Sequence, residues 1–165
     1  MDLKRLWRHI AMTPRQARRA FPHSALEAIR RAIATHEKRH RGEVRFAVEA
    51  ELTTLQLWMG LGSRERAIQV FTQLGAGRTD ERTGVLVYVL LADHRVEIVA
   101  DSGIAAKVAQ AEWQAVCATM QEALRAGRFE EGAVAGVEAV SALLERHFPA
   151  GDENRNELPD QPVML

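Results

Sequence analysis

The sequence predicts an α/β protein: a small mixed β-sheet sandwiched between helices, in the order α-β-α-β-β-α-α. Three observations predict it. A stripe at three- and four-residue spacing (Leu26, Ile29, Ile33, His36, His40) gives way to period two at Val44, Phe46 and Val48. Residues 84–91 are apolar on both faces, as a central strand covered by helices on each side requires. Asp93-His94 then makes a tight turn into residues 95–101, which alternate again as an antiparallel neighbour.

In chain order, residues 1–21 read as a basic amphipathic arm. Leu3, Leu6, Trp7 and Ile10 share one helical face, with Lys4, Arg5 and Arg8 beside it. Thr13-Pro14-Arg15-Gln16 is a capping box with proline at the first helical position. Ser24 and Glu27 start the helix that carries the first stripe, expected over 24–40 and ended by Gly42. After the first strand, residues 52–61 read as an apolar loop with Trp58 and Met59. Ser63 then caps a helix carrying Ala67, Ile68, Val70, Phe71 and Leu74 that stops at Gly75. The first two strands, joined through that helix, should be parallel. Two helices close the core, one with Val108, Trp113, Val116, Met120 and Leu124, the other with Val134, Val137, Val140, Leu144 and Phe148. The domain proper is expected over 22–148. Residues 149–165 are an acidic, proline-containing tail expected to be mobile and to add little core.

At 165 residues the chain has the length of one domain with its own core. The single cysteine, Cys117, cannot close an internal disulfide, which fits a reducing compartment. The longest apolar run, residues 85–92, is far below the ~20 residues of a membrane span. No secretion signal is visible, because charged residues interrupt the apolar positions of the arm. A soluble cytoplasmic protein, peripheral to the inner membrane if it meets one, is expected. The zero net charge hides an asymmetry: residues 1–45 hold 12 Lys/Arg against 4 Asp/Glu, and the remainder carries the opposite excess. Such polarity is either a face for acidic partners or the chance sum of solvated helix surfaces. The basic arm lacks aromatic interleaving beyond Trp7, so nucleic acid is not an expected partner.

The order of elements, with the residues at their joints, resembles the TPM-domain family. That family takes its name from a thylakoid-lumen phosphatase-like protein, a photosystem II repair protein and a nematode receptor modulator. The resemblance rests on Arg41-Gly42-Glu43, on Asp80 with Gly84-Val85-Leu86, and on Arg95-Val96-Glu97-Ile98 followed by Gly103-Ile104. Gly127-Arg128-Phe129 and the small-residue helix after it complete the pattern, and Trp113 with His147-Phe148-Pro149 is similar to short bacterial members. Asp101 replaces the first of two glycines usual in the family at 101–103. The resemblance implies three activities to weigh: phosphatase activity, calcium binding, and accessory roles beside membrane complexes.

Two constellations carry candidate chemistry. His36-Glu37-Lys38-Arg39-His40 matches HExxH, in which two histidines one helical turn apart hold zinc and the glutamate acts as base. Its setting argues for a decoy: His40 sits two residues before a helix-ending glycine, position 43 is Glu43 instead of the glycine of the extended signature, and both histidines continue the packing stripe. The second constellation is acidic. Asp80 and Glu81 precede the second strand and Asp101 ends the third, so antiparallel pairing brings them to one sheet edge. Carboxylates there suit Ca²⁺ or Mg²⁺, and Arg78 and Arg82 suit a phosphate. Asp80 as a turn former and Asp101 as a helix cap explain the same residues without a ligand. No cofactor is required by the sequence; calcium or magnesium is the one it admits. Gly75-Ala76-Gly77 lacks the third glycine of a dinucleotide fingerprint, and Gly132/Gly136 in a charged helix signals close helix packing. The leading expectation is a noncatalytic accessory module that binds a protein partner. A metal-assisted phosphatase at the carboxylate edge ranks second and a zinc hydrolase third.

Overall fold

Burial along the strands follows the pattern of a sheet covered on both sides. The computed structural model describes residues 2–151 and 156–165, and every residue of β1 (Glu43–Glu49) and β2 (Gly84–Leu90) is buried. On β2, Val85, Val87 and Val89 join one apolar cluster while Leu86, Tyr88 and Leu90 join the other. The first cluster is filled from α3 (His23–His36), α7 (Gln110–Arg125) and α8 (Phe129–His147), through Ile29, Ile33, Trp113, Met120, Val137 and Leu144. The second is filled from α4 (Thr54–Trp58) and α5 (Ser63–Gln73), through Leu57, Ala67 and Val70.

β1 and β2 are parallel, with Val44 opposite Val85, and β2 is antiparallel to β3 (Arg95–Ala100), with Val87 opposite Ile98. The strand of doubled apolarity therefore lies between the other two, as expected. α7 and α8 pack closely where Gly136 faces Met120 and Gly132 faces Ala123, the contact that the small residues of α8 permit. No helix among the described residues is long and apolar enough to cross a membrane.

Four local features differ from expectation, each for a readable reason. α3 begins at His23, with Pro22 as its N-cap, while Glu27 pairs with Arg30 one turn along and does not complete a capping box. The same helix stops at His36, four residues early: Glu37–Arg39 is a 3₁₀ turn, and His40 is extended so that it bridges to Pro149. The apolar loop contains α4, started by a capping box between Thr53 and Gln56.

The fourth difference is the tail. Leu158 is buried, its amide donates to Glu43 Oε2 at 3.0 Å, and the Arg45 guanidinium donates to the Pro159 carbonyl. β4 (Val163–Met164) then adds a parallel strand to β1, and the sheet order becomes β3-β2-β1-β4. An open β1 edge would leave backbone groups and the buried Glu43 and Arg45 without partners, and this segment supplies them. Two short helices lead into the core from the amino-terminal side: α1 (Leu3–Ala11) and α2 (Pro14–Ala20), the latter started by the predicted Thr13/Gln16 capping box.

Candidate functional site

The loop between α5 and β2 wraps over the end of β3, so Asp80, Glu81 and Asp101 share one edge of the sheet. Gly84 O accepts from the Asp101 amide at 2.8 Å, and Arg82 O accepts from the Gly103 amide at 3.2 Å. The carboxylates there are engaged in different ways. Asp101 caps α6 (Ser102–Ala105), its Oδ1 accepting from the Ser102 amide at 2.6 Å. Glu81 is paired with Arg41 at 2.9 Å, and Arg41 also donates to the Pro149 carbonyl. Asp80 is exposed and its amide donates to Glu157. Arg78 lies back over Gly75, while Arg82, with φ +54, points its guanidinium toward the Ser102 hydroxyl at 3.5 Å. Among the described residues no group of three or more His, Cys, Asp or Glu side chains is placed to hold a metal ion.

The HExxH residues have separate partners. His40 is buried with Nδ1 2.9 Å from the Gly42 carbonyl, and burial pushes its imidazole down to about 4. His36 lies at the end of α3, 4.0 Å from Glu138. Glu37 turns under the sheet, where its Oε1 accepts from the Val44 amide at 2.8 Å; burial pushes its carboxyl up to about 9. The change from α to 3₁₀ winding after His36 removes the one-turn spacing that zinc ligation on a helix needs.

Two groupings escaped sequence reasoning. At the carboxyl end of β1, Glu49 accepts a 2.5 Å hydrogen bond from Tyr88 and a bidentate pair from Arg66 at 2.8 and 2.9 Å. All three lie at or near the boundary of the second cluster, and the Tyr88 hydroxyl is raised by burial and by the Glu49 carboxylate beside it. The other grouping locks the arm to the domain. Asp93, in the β2–β3 turn, accepts from Arg5 Nε and Nη2 at 3.0 and 2.7 Å and lies 3.0 Å from His9 Nε2. His9 Nδ1 accepts from the Leu52 amide at 2.9 Å, so the ring proton is on Nε2 and points at Asp93.

That lock fixes which side of the arm docks. Arg5, Leu6 and His9 face the domain, and Leu3, Trp7 and Ile10 face solvent. Trp7 is 67% exposed, and on α4 and the residue after it Trp58 and Met59 are each 72% exposed; Leu55 on α4 and Ile68 on α5 are exposed as well. Large apolar side chains left this exposed are candidates for a binding surface.

A search of curated proteins returns no match. Among solved structures the chain is similar to the BA42 protein of the psychrophilic bacterium Bizionia argentinensis, determined by NMR. The two are 29% identical with a TM-score of 0.72, over 86% of this chain and 93% of that one. The family model described as the TPM domain matches residues 17–143, from the second helix of the arm to Leu143 near the end of α8. With that match covering most of the chain, the protein belongs to the TPM-domain family.

Proposed function

We propose that this TPM domain is a noncatalytic binding module whose recognition surface is the outward face of α1 together with α4. The observation that supports it is the exposure of Trp7, Trp58 and Met59, residue types that dominate binding hot spots, on helices anchored to the second apolar cluster. Lys4 and Arg8 flank the α1 stripe, so the fitting partner is a protein presenting an apolar face edged by carboxylates. The perturbed ionisable groups Glu37, Glu43, Tyr88 and Asp93 are held in internal contacts, which supports a structural use for them. Cytoplasmic placement at the periphery of the inner membrane belongs to the same proposal.

The test is site-specific photo-crosslinking in cells at positions 7 and 58, with exposed Glu122 on α7 as the control position. A discrete protein adduct at 7 and 58, absent at 122 and abolished by Met59→Ser, is expected. Adducts indistinguishable from those at 122 overturn the surface. Sedimentation with anionic vesicles separates a protein partner from the lipid surface itself.

A second reading is a metal-assisted phosphatase at Asp80, Asp101 and Glu81 with Arg78 and Arg82. It is supported by the way the 77–83 loop closes on the 101–103 turn and by the phosphatase activity that the family resemblance implies. Under that reading millimolar calcium raises the melting temperature of the wild type but not of Asp80→Asn/Asp101→Asn, and turnover of a generic phosphoester disappears in the same variant. A melting curve indifferent to calcium and magnesium, with no turnover, removes it.

A further inference from the structure

The opposite end of the sheet carries a second feature, separate from the acidic edge and sharing only Arg8 with the partner surface. Beyond the carboxyl end of β2 there is an open pocket of about 480 Å³ between α1, the start of α5, the β2–β3 turn and the end of α7. Four arginines line it, Arg5, Arg8, Arg95 and Arg125, against one carboxylate, Asp93. Asp93 is already taken: Arg5 holds it bidentately and His9 lies on its other side, with Arg8 at 3.6 Å. Glu97, the next acid along β3, is outside the pocket wall and is engaged by the Ser63 hydroxyl at 2.6 Å and by Arg64 at 3.9 Å.

Arg95 and Arg125 make no side-chain hydrogen bond or ion pair with any described residue. Both are placed by their elements. Arg95 opens β3 directly after the turn, and Arg125 lies one helical turn beyond Gln121, whose side chain accepts from the Val96 amide at 3.2 Å. Like charges converging on one pocket repel unless an anion sits among them. His94, which joins the arginines at the wall, has φ +52, a left-handed turn conformation that histidine adopts more readily than most side chains. The wall also includes Ser63, the first residue of α5, an 11-residue helix whose amino end favours negative charge.

We infer that this pocket binds the terminal phosphate of a phosphorylated ligand through Arg8, Arg95 and Arg125. A phosphate monoester has two negative charges and three acceptor oxygens, which matches several guanidinium forks; a carboxylate offers one charge and would leave the cluster undercompensated. The position, outside the carboxyl ends of the parallel strands β1 and β2, is where open α/β sheets hold ligands. The phosphate can come from a soluble ester or from a lipid headgroup, and the chemistry of recognition is the same.

The test uses pyrophosphate as probe, followed through the amide and arginine Nε resonances of the full chain. Saturable shifts at Ser63, His94, Arg95 and Arg125 are expected. Binding should weaken at least about tenfold in Arg95→Gln/Arg125→Gln and stay unchanged in Arg15→Gln/Arg18→Gln, two exposed positions on α2. Both double variants alter exposed side chains, so equal melting temperatures confirm that each is folded. Vesicles of phosphatidic acid, compared with phosphatidylserine at equal charge, name the source. Phosphatidic acid binding that pyrophosphate displaces and that needs Arg95 and Arg125 assigns a lipid headgroup; pyrophosphate binding without it assigns a soluble ester. No saturable shift in the wild type, or equal shifts in Arg95→Gln/Arg125→Gln, overturns the site.

Discussion

Replacing Asp93 by alanine should release the arm. The wild-type carboxylate is 8% exposed and accepts from Arg5 at 2.7 Å and from His9 at 3.0 Å. Removing one partner of a fully buried pair costs about 3–5 kcal/mol, because the other charge is stranded. Here Arg5 is 21% exposed and Arg8 is 48% exposed, so both can rehydrate, which brings the cost to roughly 2 kcal/mol. The nine-residue α1 is shorter than the ~12–15 residues at which isolated helices become even marginal, so it should detach instead of standing alone. Amide exchange over residues 3–11 should then accelerate about 30-fold, the factor that ~2 kcal/mol implies. Burial raises the Asp93 carboxyl, but the hydrogen bonds from Arg5 and His9 outweigh it and hold it below the ordinary aspartate value. A depressed carboxylate stabilises above its unfolded pKa and loses that contribution as pH falls through the folded one. Wild-type arm protection should thus persist through mildly acidic pH and fail only in strong acid, at a step that Asp93→Ala lacks. Unchanged exchange over 3–11 in the variant would refute the lock.

Three further outcomes are expected. Val87→Ala, at a fully buried site of the central strand, should lower the unfolding free energy by ~1–3 kcal/mol in a urea titration, through lost burial and a cavity. His36→Gln/His40→Gln should leave zinc content and chelator response unchanged. Because burial lowers His40 from 6.5 to about 4, its contribution should fall by about 3 kcal/mol as pH drops from 6.5 towards 4, so the stability difference between wild type and variant should change by that amount while the buried Glu37 affects both alike. Deleting residues 156–165 strips Glu43 and Arg45 of their contacts with Leu158 and Pro159 and should cost ~2–3 kcal/mol; an unaltered urea midpoint would place the tail outside the cooperative unit.

The fold was legible where the signal is local. Val44, Phe46 and Val48 announce a strand by period alone, and the two-faced apolarity of 84–91 places that segment inside the sheet because both of its faces need cover. β4 was not legible: two residues carry no period, and what recruits them is an edge more than 110 residues away in sequence, as the 115-residue separation of Leu158 and Glu43 shows. Which side of the arm docks is not legible for the same reason. Hydrophobic periodicity puts Leu3, Leu6, Trp7 and Ile10 on one helical face, but a carboxylate 88 residues from Arg5 decides which side docks, and only Leu6 of the four turns toward the domain. HExxH misleads because its spacing means adjacency only on an α-helix, and the winding changes within the motif.

The glycines that carry the family resemblance explain why it identifies the fold more readily than the activity. A Cβ on Gly84 would fall 1.7 Å from the Ala76 carbonyl, and one on Gly103 would lie 2.6 and 2.7 Å from the Arg82 and Glu81 carbonyls. Those are backbone atoms, which cannot move aside as a flexible side chain can, so both positions must lack a side chain for the 76–83 loop to close against the β2–β3 pair. The constraint is one of packing, and any chain with this crossover and this loop closure meets it whether or not a metal sits at the edge. Asp101 sits between these glycines in sequence, and its carboxylate accepts from the Ser102 amide and hydroxyl. A capping aspartate shortens the route from β3 into α6 without demanding a ligand. Asn caps about as well as Asp, whereas a metal ligand needs the charge. Asp101→Asn should therefore leave stability unchanged if capping is the whole role of this residue, and should abolish calcium-dependent stabilisation if the edge binds an ion.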